Sequence, residues 1–91
     1  MVNVETSWGN YCLTLVQTTR TIGKNQNRPS VIAELWRDGQ LVTAGMSLCH
    51  PTDKFDARKG AHLAVNKMAK DLFGKQDLRE IHKKVDSWFQ Q

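Results

Sequence analysis

SVIAELWRDGQLVTAGMSLC, residues 30–49, is the stretch that decides the fold. Asp38-Gly39 separates two runs of alternating residues. That pair between strands specifies a two-residue type I′ turn, because both positions need positive φ and these residues tolerate it. A two-residue loop also sets a register. Arg37 then faces Gln40, Trp36 faces Leu41, Leu35 faces Val42, Ala33 faces Ala44 and Val31 faces Met46. One face of the hairpin collects Val31, Ala33, Leu35, Val42, Ala44, Met46 and Leu48. It is wholly apolar and is expected to be buried. The other carries Ile32, Glu34, Trp36, Leu41, Thr43, Gly45 and Ser47 and is expected to face solvent.

Upstream, residues 11–22 alternate and are rich in β-branched side chains, which predicts another strand. GKNQNRPS, residues 23–30, reads as a polar, basic loop punctuated by Gly and Pro. The first ten residues, MVNVETSWGN, fit either a short leading strand or a loose arm. Downstream, His50-Pro51 ends the third strand, because Pro cannot donate to a ladder. Asp56 is a good N-cap for a helix over residues 57–73. Its apolar stripe is Ala57, Ala61, Ala64, Val65, Met68, Ala69, Leu72 and Phe73, and Gly74 stops it. The opposite face carries Arg58, Lys59, His62, Asn66, Lys67 and Lys70. Asp77 with Glu80 forms a capping box for a second helix over residues 77–90. Leu78, Ile81, Val85, Trp88 and Phe89 make its stripe, and two large aromatics so near the end predict that it docks.

The expectation is a single α+β domain: a three-stranded antiparallel meander followed by two helices, β-β-β-α-α. The 91 residues leave no room for a second core. A core this small also makes a homo-oligomer reasonable, with the C-terminal helix either capping its own domain or docking on a neighbour.

Charge is unevenly placed. Residues 1–53 hold four basic and four acidic residues, while residues 54–91 hold nine basic and five acidic, so the later part carries the whole net +4. Such a bias raises the local concentration of nucleic acid, nucleotides or acidic protein faces. No stretch is long and apolar enough to span a membrane, and no leader pattern opens the chain, so a cytoplasmic setting is expected. Cys12 and Cys49 stand outside any Cys-x-x-Cys pair and read as reduced, small buried hydrophobes. The three histidines lack the close ligand pairs of a zinc site, so no metal or cofactor is expected.

No catalytic constellation can be assembled. Cys49-His50 are neighbours on a strand and point to opposite faces, so they make no nucleophile–base pair. Phosphate loops and His-Glu-x-x-His are absent, and a non-enzymatic protein is expected. Three binding surfaces stand out. One is the junction of residues 49–60, where Lys54, Arg58 and Lys59 meet a helix N-terminus, an anion site by charge and dipole unless Asp56 fills it as the cap. Gly60 inside that turn serves either close packing on a strand or close approach of a ligand. Another is the loop with Lys24 and Arg28. The last is Trp36 beside Leu41 on the outer sheet face, an aromatic anchor of the kind enriched at binding hot spots. Lys67 and Lys70 continue the basic helix face.

The tract His50-Pro51-Thr52-Asp53-Lys54-Phe55, running through Gly60 into an Ala-rich basic helix, resembles small accessory proteins of tailed phages and prophages. The resemblance covers roughly residues 31–73. It implies a protein that antagonises host defence: an anti-CRISPR-like inhibitor, or a sponge for a signalling nucleotide. Its partner would be a host-defence protein or that protein's nucleic-acid or nucleotide ligand, in the host cytoplasm. A second resemblance is to the double-stranded RNA-binding domain, carried by Lys54, Arg58, Lys59 and the helix after a three-stranded sheet. It implies recognition of phosphates and shape. That domain's leading helix has no counterpart here, and the helix over 77–90 is extra.

Overall fold

The computed structural model describes residues 2–21, 23, 27–50, 54–69 and 72–90. Four strands come first: β1 (Val2–Thr6), β2 (Gly9–Thr21), β3 (Asn27–Arg37) and β4 (Gln40–Leu48). Two helices follow, α1 (Ala57–Ala69) and α2 (Lys75–Phe89). The strands form one antiparallel sheet in the order β1-β2-β3-β4. The α+β class and the closing helices match the expectation; the strand count does not, because the meander has four strands. The opening segment is paired, from Val2 opposite Leu13 to Thr6 opposite Gly9. Only Val4 of β1 is buried, so five residues give too short an alternation to be read from sequence.

The β3–β4 turn is the expected one. Asp38 (φ 52°) and Gly39 (φ 76°) both lie in the left-handed region that type I′ requires. Trp36 faces Leu41 and Arg37 faces Gln40 as the loop length dictates. Beyond that point the register departs. Leu35 faces Thr43, so Val42 is the extra residue of a β-bulge. Ala33 then faces Gly45 and Val31 faces Ser47. A one-residue slip sends every later side chain to the other face. The expected buried set of Val42, Ala44, Met46 and Leu48 is therefore corrected: these lie on the outer face, with Val42 47% exposed. Thr43, Gly45 and Ser47 face α1 instead.

The reason is proximity. A Cβ on Gly45 would stand 2.4 Å from the Ala64 carbonyl oxygen and from the Met68 backbone nitrogen. The helix backbone rests on the strand there. Thr43 Oγ1 donates to the Met68 carbonyl (3.0 Å), and Ser47 Oγ donates to the Gly60 carbonyl (2.7 Å). Gly60 answers from the helix side, since a Cβ would come 3.0 Å from Val31 Cγ2. Packing on a strand, one of its two expected roles, is thus present. Larger side chains on β4 would lift α1 off the sheet.

Val4, Tyr11, Leu13, Leu15, Val31, Ala33 and Leu35 from the sheet meet Ala61, Ala64, Val65, Met68 and Ala69 of α1. Ile81 and Val85 of α2 complete the core, with Trp88 and Phe89 packed against it. The C-terminal helix thus caps its own domain, against α1 and β1, and its stripe is used within the chain. α1 is described to Ala69, and residues 72 and 73 are not helical, so it ends short of residue 73; Phe73 meets the Tyr11 ring edge-on at 5.7 Å. α2 starts at Lys75, with Gly74 as an N-cap that makes no side-chain cap bond. The expected capping box is therefore absent. Asp77 instead accepts from the Ser7 backbone N–H (3.0 Å) and hydroxyl, tying α2 to the β1–β2 turn.

Candidate functional site

The end of β4 and the start of α1 enclose a cleft of about 330 Å³. Ser47 to His50 form one wall, and Lys54 to Asp56 with Lys59, Gly60 and Leu63 form the other. Two sequence features place them. Small residues on β4 and α1 bring strand and helix close, and the segment before Ala57 has to turn between them. Asp56 caps the helix as expected: its Oδ1 accepts the Lys59 backbone N–H (3.1 Å) and its carbonyl accepts that of Gly60 (2.9 Å). The chain's own carboxylate thus meets part of the helix N-terminus. What the cleft offers an anion is therefore the fixed charge of Lys54 and Lys59, both exposed at its rim. Phe55 and the 47%-exposed Leu63 supply apolar wall beside them.

The predicted binding residues do not all gather here. Arg28 comes near the cleft, since its Nε donates to the Cys49 carbonyl at 2.7 Å and steadies that wall. Arg58 turns away and pairs with Asp86 at 2.8 Å. Lys67 is exposed two turns beyond Lys59, about 12 Å along the helix. Lys24 and Lys70 lie outside the described residues. Trp36 sits on the opposite side of the sheet, so anchor and basic rim do not share a surface. Its Nε1 donates to Thr14 Oγ1 (3.1 Å), which in turn donates to Glu34 (2.9 Å), leaving the ring half-buried. The outer face around it is more apolar than expected, because the bulge adds Val42, Ala44, Met46 and Leu48 to Val16 and Ile32. Cys12 and Cys49 are not joined by a disulfide.

A second cluster escaped the sequence reading. It joins Arg58, His62 and Asn66, on the α1 face opposite the apolar stripe, to His82 and Asp86 of α2. Arg58 Nε donates to Asp86 Oδ1 (2.9 Å), and that oxygen also meets His62 Nε2 (2.8 Å). His62 Nδ1 lies 2.7 Å from His82 Nδ1, and His82 Nε2 lies 2.8 Å from Asn66 Oδ1. The ring centroids lie 4.9 Å apart, with the planes 24° from parallel. Burial, then the neighbouring His62, hold the His82 imidazole below its ordinary pKa, against the pull of Asp86. Hydrogen bonds from His62 and Arg58 hold the Asp86 carboxyl below its own. The traces in sequence are two i, i+4 pairs, His62/Asn66 and His82/Asp86; nothing local says that they meet.

Compared with protein-family models, curated proteins and solved structures, the chain matches none. No described helix is long and apolar enough to cross a membrane, and no described group of three or more His, Cys, Asp or Glu residues is placed to hold a metal ion.

Proposed function

We propose that the chain is a non-enzymatic binding protein of the phage accessory type, which inhibits or sequesters a component of host defence. It takes the anionic part of its partner at the cleft between β4 and α1. One observation carries this reading: Lys54 and Lys59 converge on a cleft of about 330 Å³ that also presents Phe55 and Leu63. Small-molecule sites commonly start at about 300 Å³ and combine apolar wall with few polar groups. A ligand with a charged group and a flat apolar body, such as a nucleotide, suits that mixture. Asp56 at the helix start directs the phosphate toward the lysines rather than the capped backbone. Thermal melting with nucleotides, and with inorganic phosphate as control, tests it. A nucleotide at about 100 times its Kd stabilises by about 2.7 kcal/mol, a shift easily seen. Lys54→Glu with Lys59→Glu abolishes that shift. A shift that survives the double change, or no shift with any nucleotide, refutes the reading.

A second reading is direct nucleic-acid binding. Arg20 lies directly opposite Arg28 on the long β2–β3 ribbon, and no carboxylate occurs between Glu5 and Glu34. Like charges placed opposite each other destabilise a sheet unless an anion joins them. Duplex binding through this ribbon would weaken steeply with salt, vanish in Arg20→Glu, and survive Lys59→Glu.

A further inference from the structure

We propose that His62 and His82 share a single proton, and that this makes the α1–α2 junction a pH-gated clasp. The argument is a count of protons on four ring nitrogens. Asp86 is a carboxylate and only accepts, so His62 Nε2 carries a hydrogen. Asn66 turns its oxygen to His82 Nε2, so that nitrogen carries one too. If both rings were neutral, both Nδ1 atoms would be bare, and two lone pairs would face each other at 2.7 Å. If both rings were doubly protonated, two N–H groups would collide there. The distance is that of a hydrogen bond, so one Nδ1 holds a proton and the other accepts it. The pair is one imidazolium and one imidazole.

The surroundings favour this state and say which ring is charged. Asp86 stands beside His62 at 2.8 Å and favours charge on that ring over its neighbour. Burial disfavours charge on the His82 ring. Arg58 shares that Asp86 oxygen with His62, so with one imidazolium the cluster carries a net charge of +1. From α2, the neighbouring Lys83 is turned to Glu80 (3.1 Å). Among the described residues, the sheet gives the pair no hydrogen bond or ion pair. The two rings titrate as a unit. A second proton is resisted, because burial and then the neighbouring His62 hold the His82 imidazole below its ordinary pKa. Stability from the clasp is therefore lost on both sides of a window. As pH rises, the shared proton leaves and the lone pairs repel. As pH falls below the ordinary histidine range, the unfolded chain takes up the second proton more readily than the fold does.

Nitrogen-15 spectra of the histidine rings, with urea unfolding followed between about pH 5 and about pH 9, test the proposal. At the centre of the window both Nε2 atoms are protonated and one Nδ1 is shared. The two titration steps are split by at least about one pH unit. The unfolding constant of the native chain rises from the centre of the window toward either side. His62→Asn and His82→Asn flatten this profile while keeping the helix signal. An Asn66 amide turned the other way would let two neutral rings share the contact. His82 Nε2 would then show no proton, and that result overturns the proposal. So do two rings titrating independently at the ordinary histidine value, or a stability profile that the variants leave unchanged.

Discussion

Replacing Gly45 by alanine adds one methyl group where α1 touches the sheet. The new carbon would lie 2.4 Å from the Ala64 carbonyl oxygen and the Met68 nitrogen, and 2.9 Å from Met68 Cα. Unstrained contacts begin near 3.4 Å, and these neighbours are helix backbone that no rotamer change can move. The helix has to lift by roughly 1 Å, an overpacking strain of about 1–3 kcal/mol. The same lift stretches the Thr43–Met68 and Ser47–Gly60 hydrogen bonds, now 3.0 and 2.7 Å, toward about 4 Å. Each is worth about 1 kcal/mol. The total is about 3–5 kcal/mol, a large part of the ~5–15 kcal/mol that holds a domain together. In a chain of this size each kilocalorie moves Tm by about 4–8 °C, so the variant melts at least about 12 °C lower. Circular dichroism melts and urea titrations measure it. Ser47→Ala, which removes one of the two bonds without a clash, is the milder companion and loses about 1 kcal/mol. A Gly45→Ala protein melting within about 4 °C of the native chain would show that the helix does not rest on this glycine.

Three further outcomes follow from particular contacts. Gly74→Ser supplies the missing side-chain cap of α2 and raises stability by a few tenths of a kcal/mol, about 1–2 °C in Tm. Asp77→Ala removes the acceptor for both Ser7 donors and lowers stability by about 1 kcal/mol; hydrogen exchange at the Ser7 amide speeds up with it. Asp86 has a lowered folded pKa, so its contribution is complete above about pH 3.9, the ordinary carboxylate value, and is lost as pH falls through the lowered one. Urea midpoints measured below that pH drop in the native chain, and drop less in Asp86→Asn.

The hairpin turn and the buried face of β3 were legible because their determinants are local. Positive φ at Asp38 and Gly39 needs only those two residues, and Val31, Ala33 and Leu35 alternate without ambiguity. β4 was not legible, since both of its alternating sets can be argued inward: Val42, Ala44, Met46 and Leu48 by hydropathy, Thr43, Gly45 and Ser47 by size. Hydropathy alone chooses the wrong set. The choice is made by α1, whose Gly60, Ala61 and Ala64 bring its backbone down onto the strand, and that is a tertiary fact. The cleft was legible in part, because Lys54, Asp56, Lys59 and Gly60 are close in sequence. The histidine cluster was not, because it needs the crossing of two helices that the chain specifies only through their buried sides.

The bulge at Val42 also changes how sequence variation in β4 should be read. In most strands under a helix, greasy positions resist change and small polar ones drift freely. Here the tolerances are exchanged. Ala44 and Met46 on the outer face can accept polar replacements with little loss, whereas Thr43, Gly45 and Ser47 admit almost nothing larger. A comparison of diverging copies of this chain would find its most constant β4 positions among the residues that a hydropathy scale ranks least important, and its most variable ones among those it ranks highest.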